Sequence, residues 1–469
     1  MMLNRAEWAA RPLSRLLLAL ALAVPFAACD TDEVLEVDEP TFATPESLRN
    51  LAGLPTLFAG ALGDFQVGYS GADLADSYLA NASLFSDELK SSDTFTTRNA
   101  TDTRNSFVPV QGNTSDLAYN QLQYARRSTG EVASVVAELV GQEDARYPRL
   151  KALEGHAIIA LGEAFCGAVP LGTAVAGVPG EYAMPLSTDQ LFAAAVTVFD
   201  EALTAAALGS TTAHTTALNL ARVGKGRALL NAGDPAGAAA AVAGVPTTFF
   251  YFVDHSANSG RQRNPIFALQ DNRRYTMSDV EGINGEPYVT ANDPRTVWYM
   301  HTQLGFDQAT PVVRSGRYPA YQADVVLADG IQARLIEAEA ALAGGGDWLG
   351  ILNALRADVV NLMTARYTAN WATYPQAANP LPPLDDPGTP EARVDLLFSE
   401  RAFWLYLTGT RLGDMRRLIR DYNRPAETVF PTGDWHKGGV YGTDVNLPVP
   451  FNEQQNPNFS ESMCNTKQP

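Results

Sequence analysis

Over residues 148–166 the apolar side chains Leu150, Leu153, Ala157, Leu161 and Ala164 recur at helical intervals, and Ile158 and Phe165 widen the stripe. That spacing predicts an amphipathic helix, closed by Gly167 and Pro170. The next helix is expected to start at Ser187, whose hydroxyl caps it while Gln190 reaches back, ahead of Leu191, Ala194, Ala195 and Val198. Ala-rich helices follow over 217–232 and 235–243. Between them Gly233 supplies a left-handed C-cap, Asp234 the N-cap and Pro235 the first helical position.

The same punctuation returns downstream. Residues 331–343 read as a helix ended by Gly344, Gly345 and Gly346; Asp347 caps its successor, whose stripe is Leu349, Leu352, Leu355 and Val359. A further pair starts at Thr389 and Pro390, runs through Leu397 and Trp404, and stops at Gly409 before a helix over 411–421. Small residues such as Ala228, Ala232, Ala238, Ala338, Ala340 and Ala341 allow paired helices to approach closely, as in tetratricopeptide-like solenoids, although the spacing is too irregular for a regular array. The expected fold class is mainly α: an α-α superhelix of tetratricopeptide-like pairs with long irregular loops and little β, in a single domain over 41–469. Two stretches break the helical pattern, 366–390 and a loop-rich insertion at about 246–322. The latter mixes Phe249, Phe250, Tyr251 and Phe252 with Asn, Arg and Gly and is the first place to look for ligand contacts.

The N-terminus carries a different signal. Arg5, Arg11 and Arg15 precede an apolar run from Leu16 to Val24, too short to span a bilayer, and Ala27 and Ala28 stand before Cys29. The arrangement resembles a bacterial lipobox, with Phe26 where an aliphatic residue is usual. Residues 1–28 are therefore expected to be a lipoprotein signal peptide and Cys29 the acylated first residue. Acyl chains would then hold the body to a membrane. Residues 29–40 are acidic and weakly hydrophobic, as a solvated tether would be.

The formal charge is −18 at pH 7, with no run of Lys or Arg that could track a phosphate backbone, which argues against a nucleic-acid partner. Beyond Cys29 only Cys166 and Cys464 remain. In an exported protein they are a candidate disulfide; two free thiols are the alternative.

The C-terminal third resembles the SusD/RagB family of outer-membrane nutrient-binding lipoproteins. Glu400, Arg401, Gly409, Arg411, Asp414, Arg416 and Arg417 match its E-R-x-x-E-x-x-x-E-G-x-R-x-x-D-x-x-R segment, with Trp404 and Thr408 at the two inner acidic positions. Pro448, Val449, Pro450, Glu453, Asn456 and Pro457 follow its P-I-P-x-x-E-x-x-x-N-P pattern. Glu337 to Ala340, with Leu352, Asn353 and Arg356, look like its A-E-A and L-N-x-x-R helix pair, and Asp293, Pro294 and Arg295 like its D-P-R turn. The resemblance implies a lipid-anchored protein on the outer membrane, facing the cell exterior. It would act as the lid of a TonB-dependent, SusC-like barrel and deliver glycans or other oligomers to it. Read physically, Glu400, Arg401, Arg411, Asp414, Arg416, Asn353 and Arg356 are structural: Arg to carboxylate forks between consecutive helices set an interhelical angle.

Signs of catalysis are missing from the sequence. The five histidines are scattered and none forms H-E-x-x-H or pairs with a cysteine at zinc spacing, and neither a G-x-S-x-G elbow nor a phosphate loop is found. A binding protein without metal or cofactor is the expectation. Sugars are bound by aromatic faces with guanidinium and amide groups on their hydroxyls, and Tyr275, Trp298, Tyr299, Arg273, Arg274, Tyr318 and Tyr321 are the candidate ligand contacts. A peptide or other polymer ligand, or a helical-repeat envelope scaffold, are the competing readings.

Overall fold

The computed structural model describes residue 44 and residues 46–105, 114–172, 182–367 and 371–469. The signal peptide, Cys29 and the tether lie outside the described residues. Asn50–Pro469 forms one compact unit. Of the separate segment Met1–Arg49, an exposed 3-10 turn over Glu46–Leu48 is described.

Helices α1 (Leu54–Tyr69), α2 (Tyr78–Phe85), α3 (Thr96–Asp102) and α4 (Thr114–Val140) make up the N-terminal part. They are followed by α5 (Arg146–Ala164), α6 (Thr188–Ala206), α7 (Thr212–Asn231) and α8 (Pro235–Val242). Each of α4 to α7 packs on its successor, α1 packs on α4 and α5, and α8 continues the stack onto α10 (Gly330–Gly344), which pairs with α11 (Trp348–Ala357). The chain is thus mainly α, with helices adjacent in sequence packed in pairs, as the sequence pattern implied.

The sequence-read caps are in place. Ser187 and Gln190 form the reciprocal capping box of α6; Asp234, Asp347 and Thr389 accept from the backbone N–H of Gly237, Gly350 and Ala392. Close packing explains several small residues. The ring of Phe199 on α6 lies between α5 and α7, and a Cβ on Gly155 would come within 2.7 Å of it. Three expectations need adjustment. The helix expected over 148–166 ends at Ala164, because Phe165 is already extended and enters a bridge with Leu447. The helix expected from 217 starts at Thr212, capped by the hydroxyl of Thr211. The stripe from Leu349 to Val359 is split at Asp358, which separates α11 from α12 (Val359–Arg366).

The 246–322 stretch is organised by antiparallel ribbons and α9 (Pro265–Asp271). Strand β1 (Leu89–Ser91) pairs with β5 (Tyr275–Met277), β2 (Val169–Pro170) with β3 (Pro185–Leu186), β4 (Phe250–Val253) with β8 (Val325–Asp329), and β6 (Trp298–Met300) with β7 (Val313–Ser315). Among the described residues the β structure consists of these two-stranded ribbons and two isolated bridges, Phe165 with Leu447 and Asp434 with Val440.

Helices α13 (Pro390–Trp404) and α14 (Arg411–Arg420) carry the family-like motif, and its charged residues are buried in ion-pair networks. Arg401 donates Nε and Nη2 to the two oxygens of Asp414, both at 2.8 Å, and Arg417 Nη2 adds a third bond at 2.8 Å while its Nη1 engages Glu339. Burial alone would raise the Asp414 carboxyl, but Arg401 and Arg417 outweigh it and hold it at about 2. Glu400 receives Arg295 at 2.7 Å and Arg356 at 2.5 Å, joining the D-P-R turn to α11 and α13. Arg411 forks onto Asp87, and Arg416 donates to the carbonyl of Gly162 at 2.7 Å. Asn353 exchanges two hydrogen bonds with the backbone of Leu384, fixing the Pro-rich 380s. Cys166 and Cys464 form a disulfide that ties the C-terminal tail to the end of α5.

Candidate functional site

A cavity of about 450 Å³ opens between α1, α5 and the chain from β4 to Gln262. It falls in the size range of small-ligand sites. Its inner wall is apolar: Phe65 and Leu62 from α1, Leu153 from α5, and Tyr251 and Val253 from β4. Burial of Tyr251 follows from the alternation of β4, which turns Tyr251 and Val253 inward while Phe250 and Phe252 stack on each other with ring centroids 6.1 Å apart. Arg149 of α5 donates Nε to the Tyr251 hydroxyl at 2.8 Å, and its guanidinium lies 5.4 Å from the Tyr251 ring and 5.6 Å from that of Phe58.

Polar groups surround the mouth. Asp64 receives Arg261 at 2.7 Å and the Ser128 hydroxyl at 2.7 Å, while Asp254, Ser259 and Gln262 are exposed on the loop after β4. His255 closes the floor. Its Nε2 is 2.8 Å from the Ser70 hydroxyl and its Nδ1 3.0 Å from the carbonyl of Gln262, and burial pushes its imidazole down to about 4. The ring is therefore neutral at pH 7 and acts as a hydrogen-bonded strut. An aromatic and aliphatic wall with carboxylate, guanidinium, hydroxyl and amide groups at the mouth is suited to a polyhydroxylated ligand, whose hydroxyls need both donors and acceptors. Among the described residues no group of His, Cys, Asp and Glu is arranged to hold a metal ion.

The aromatic residues expected to form a ligand platform do not come together as one. Tyr275 is fully buried and donates its hydroxyl to Asp76 at 2.7 Å; Tyr318, 2% exposed, donates to the carbonyl of Leu407 at 2.7 Å. Both are core residues whose polar tips are already satisfied, so neither presents a face to a ligand. Trp298 and Tyr299 are successive residues of β6 and face opposite sides of the ribbon. The Trp298 indole donates to the carbonyl of Val289 at 3.0 Å, and Tyr299 packs 6.0 Å from Tyr374. Tyr321 is half-buried, edge-on to Phe267 and under Arg263. Arg273 donates to the carbonyl of Leu304 at 3.0 Å, and Arg274 pairs with Asp93 at 2.7 Å.

Arg274 also marks a second surface that sequence reasoning missed. Its guanidinium lies 3.4 Å from the centroid of Phe306 and 5.1 Å from that of Phe95, two rings that are 39% and 50% exposed. Phe95 and Phe306 sit in separate loops with no periodic pattern, and no local signal announces their meeting. In the main cavity, the signal was the aromatic run at 249–252; Asp64, Arg149 and Arg261 have none.

No family model matches the chain, and no curated protein does. Solved structures do. A SusD superfamily protein from Bacteroides thetaiotaomicron superimposes with a TM-score of 0.61 at 15% identity, covering 88% of this chain and 99% of that one. A SusD homolog from Bacteroides fragilis gives 0.60 at 13% identity, over 88% and 94%. A laminarin-binding SusD-like protein gives 0.57 at 14% identity, over 88% and 98%. The α4 to α8 stack, its continuation through α10 and α11, and the C-terminal helix pair are together the SusD-like fold.

Proposed function

We propose that this chain is a non-catalytic, glycan-binding member of the SusD/RagB family, and that oligosaccharide is bound in the cavity between α1 and β4. The observation that carries the reading is that cavity: an apolar wall with Tyr251 and a mouth of Asp64, Asp254, Arg261 and Gln262. The laminarin-binding protein of the same fold supports the choice of ligand class. Acylation at Cys29, a position on the outer face of the outer membrane, and service as the lid of a TonB-dependent barrel complete the proposal. They rest on the lipobox-like N-terminus and the motif resemblance.

A glycan array with the purified protein identifies the ligand, and paired variants locate it. Asp254→Ala with Arg261→Ala removes two groups at the mouth. Each hydrogen bond from a charged group contributes about 1.5–3 kcal/mol, so affinity is expected to fall at least roughly tenfold for every such bond removed. Phe95→Ala with Phe306→Ala is expected to leave affinity unchanged. Unchanged affinity in the first pair together with loss in the second transfers the site to the Arg274 surface and refutes the cavity assignment. Mass spectrometry of the mature N-terminus, and co-purification with a large barrel from the native host, test the anchor and the partner.

A further inference from the structure

A second cavity, of about 280 Å³, shares Phe252 with the first and is walled by Gly316, Arg317, Ala320, Arg366, Tyr367 and Trp371. Two arginines line it, and they differ in what they touch. Arg366 has partners: Nη1 donates to the carbonyl of Trp404 and Nη2 lies 2.5 Å from Asp329 as an ion pair, although its Nε has no hydrogen-bond partner among the described residues. Asp329 in turn accepts from the backbone N–H of Gln332 at 2.7 Å as the cap of α10. Arg317 is only 4% exposed, yet none of its three guanidinium nitrogens has a hydrogen-bond partner among the described residues. The Tyr367 ring lies 5.1 Å from its guanidinium carbon.

A buried cation with five unmet N–H donors is costly, and a cation–π contact replaces only part of its lost hydration. None of the acids nearby hydrogen-bonds to it. Asp329 is taken by Arg366, and burial pushes the Glu88 carboxyl up to about 7, so it carries only part of a charge at neutral pH. Asp324, at the rim, accepts from the backbone N–H of His255 at 2.7 Å, and burial raises its carboxyl too. The cavity wall therefore holds a guanidinium whose N–H donors are unmet, in a fork geometry made for a two-oxygen anion. Phe252, Pro319, Ala320 and Trp371 give the wall an apolar part, beside the polar Gln322 and Asp324.

We propose that this cavity binds a small ligand through a single carboxylate, with the Arg317 fork turned onto it as the ion-pair partner. One carboxylate supplies the two acceptor oxygens that the Arg317 fork lacks, and a cavity of about 280 Å³ accommodates the body of a uronate-sized molecule. Carboxylate binding here does not depend on glycan binding in the first cavity.

Trp371 in the wall is a fluorescent reporter. The full chain is titrated at constant ionic strength with acetate, glucuronate, glucose and sulfate, following tryptophan emission and the urea midpoint in parallel. Acetate and glucuronate are expected to give saturable shifts and glucose none, with glucuronate the tighter if its ring is also held. Arg317→Met is expected to weaken carboxylate binding at least tenfold while leaving the ligand-free protein as stable as wild type or more so, because an unpaired buried charge is removed. Ala320→Phe, which fills the void and leaves Arg317 in place, is expected to abolish the shift as well, and it serves as the test if the first variant does not fold. No response to either carboxylate, a response to sulfate alone, or an undiminished response in the folded variants overturns the proposal.

Discussion

Replacing Asp414 with Asn is the sharpest probe of how the C-terminal helices are held. The carboxylate accepts three bonds of 2.8 Å from Arg401 and Arg417 and is 5% exposed. Its carboxyl is held at about 2 against an ordinary value of 3.8, a depression that corresponds to roughly 2–3 kcal/mol at neutral pH. The amide keeps the shape but leaves Arg401 and Arg417 sharing Glu339 alone, and breaking a buried pair in this way costs about 3–5 kcal/mol. Because the native carboxyl is depressed, its contribution is complete above pH 4 and disappears as pH falls through 2. Urea unfolding at a series of pH values, with the slope checked to be unchanged, reads the difference directly. The gap between wild type and Asp414→Asn is expected to be constant from neutral pH down to about 4 and to narrow below that. A variant within about 1 kcal/mol of wild type at pH 7, or a gap that widens on acidification, refutes the reasoning.

Three further outcomes are expected. Burial pushes the Glu88 carboxyl up to about 7, so its contribution is complete below about pH 4.5 and lost as pH rises through 7; relative to Glu88→Gln, wild type is expected to lose up to about 3 kcal/mol between pH 4.5 and 8, and a difference of the opposite slope rejects the assignment. Thiol titration in denaturant without reductant is expected to find neither Cys166 nor Cys464, with both appearing after reduction. Cys464→Ser is expected to cost about 2–5 kcal/mol by urea unfolding, since the bond joins residues 298 positions apart; reactive thiols at both positions before reduction contradict the disulfide. Gly155→Ala drives a methyl group to 2.7 Å from the Phe199 ring and is expected to destabilise by about 1–3 kcal/mol, a penalty that Phe199→Leu in the same chain should partly relieve.

The helices that could be read from sequence are those with local punctuation. Ser187 with Gln190, Asp234 with Pro235, Asp347 and Thr389 each announce a start within a few residues of the chain. Helix α1 was missed because Gly60, Gly63 and Gly68 weaken its pattern; a Cβ at Gly68 would meet Ala125 and Gln121 of α4, so that glycine answers to a neighbour distant in sequence. The motif arginines were legible as structural because their acidic partners recur on the adjacent helix, as Arg401 and Asp414 do. Asp87, the partner of Arg411, is 324 residues away. The candidate ligand residues fared worse for the same reason. The hydroxyls of Tyr275 and Tyr318 are satisfied by groups 199 and 89 residues away, and that distinguishes a core tyrosine from a sugar platform. The aromatic run at 249–252 did lie beside the cavity, but half of that wall comes from α1 and α5.

Calorimetric titration of the purified protein with the best glycan from the array, followed by chromatography of the ligand after prolonged incubation, tests capture without chemistry. The expected result is saturable binding that weakens in the Asp254→Ala, Arg261→Ala pair, with the oligosaccharide recovered intact. Absence of binding to any glycan, or recovery of shortened products, contradicts the account.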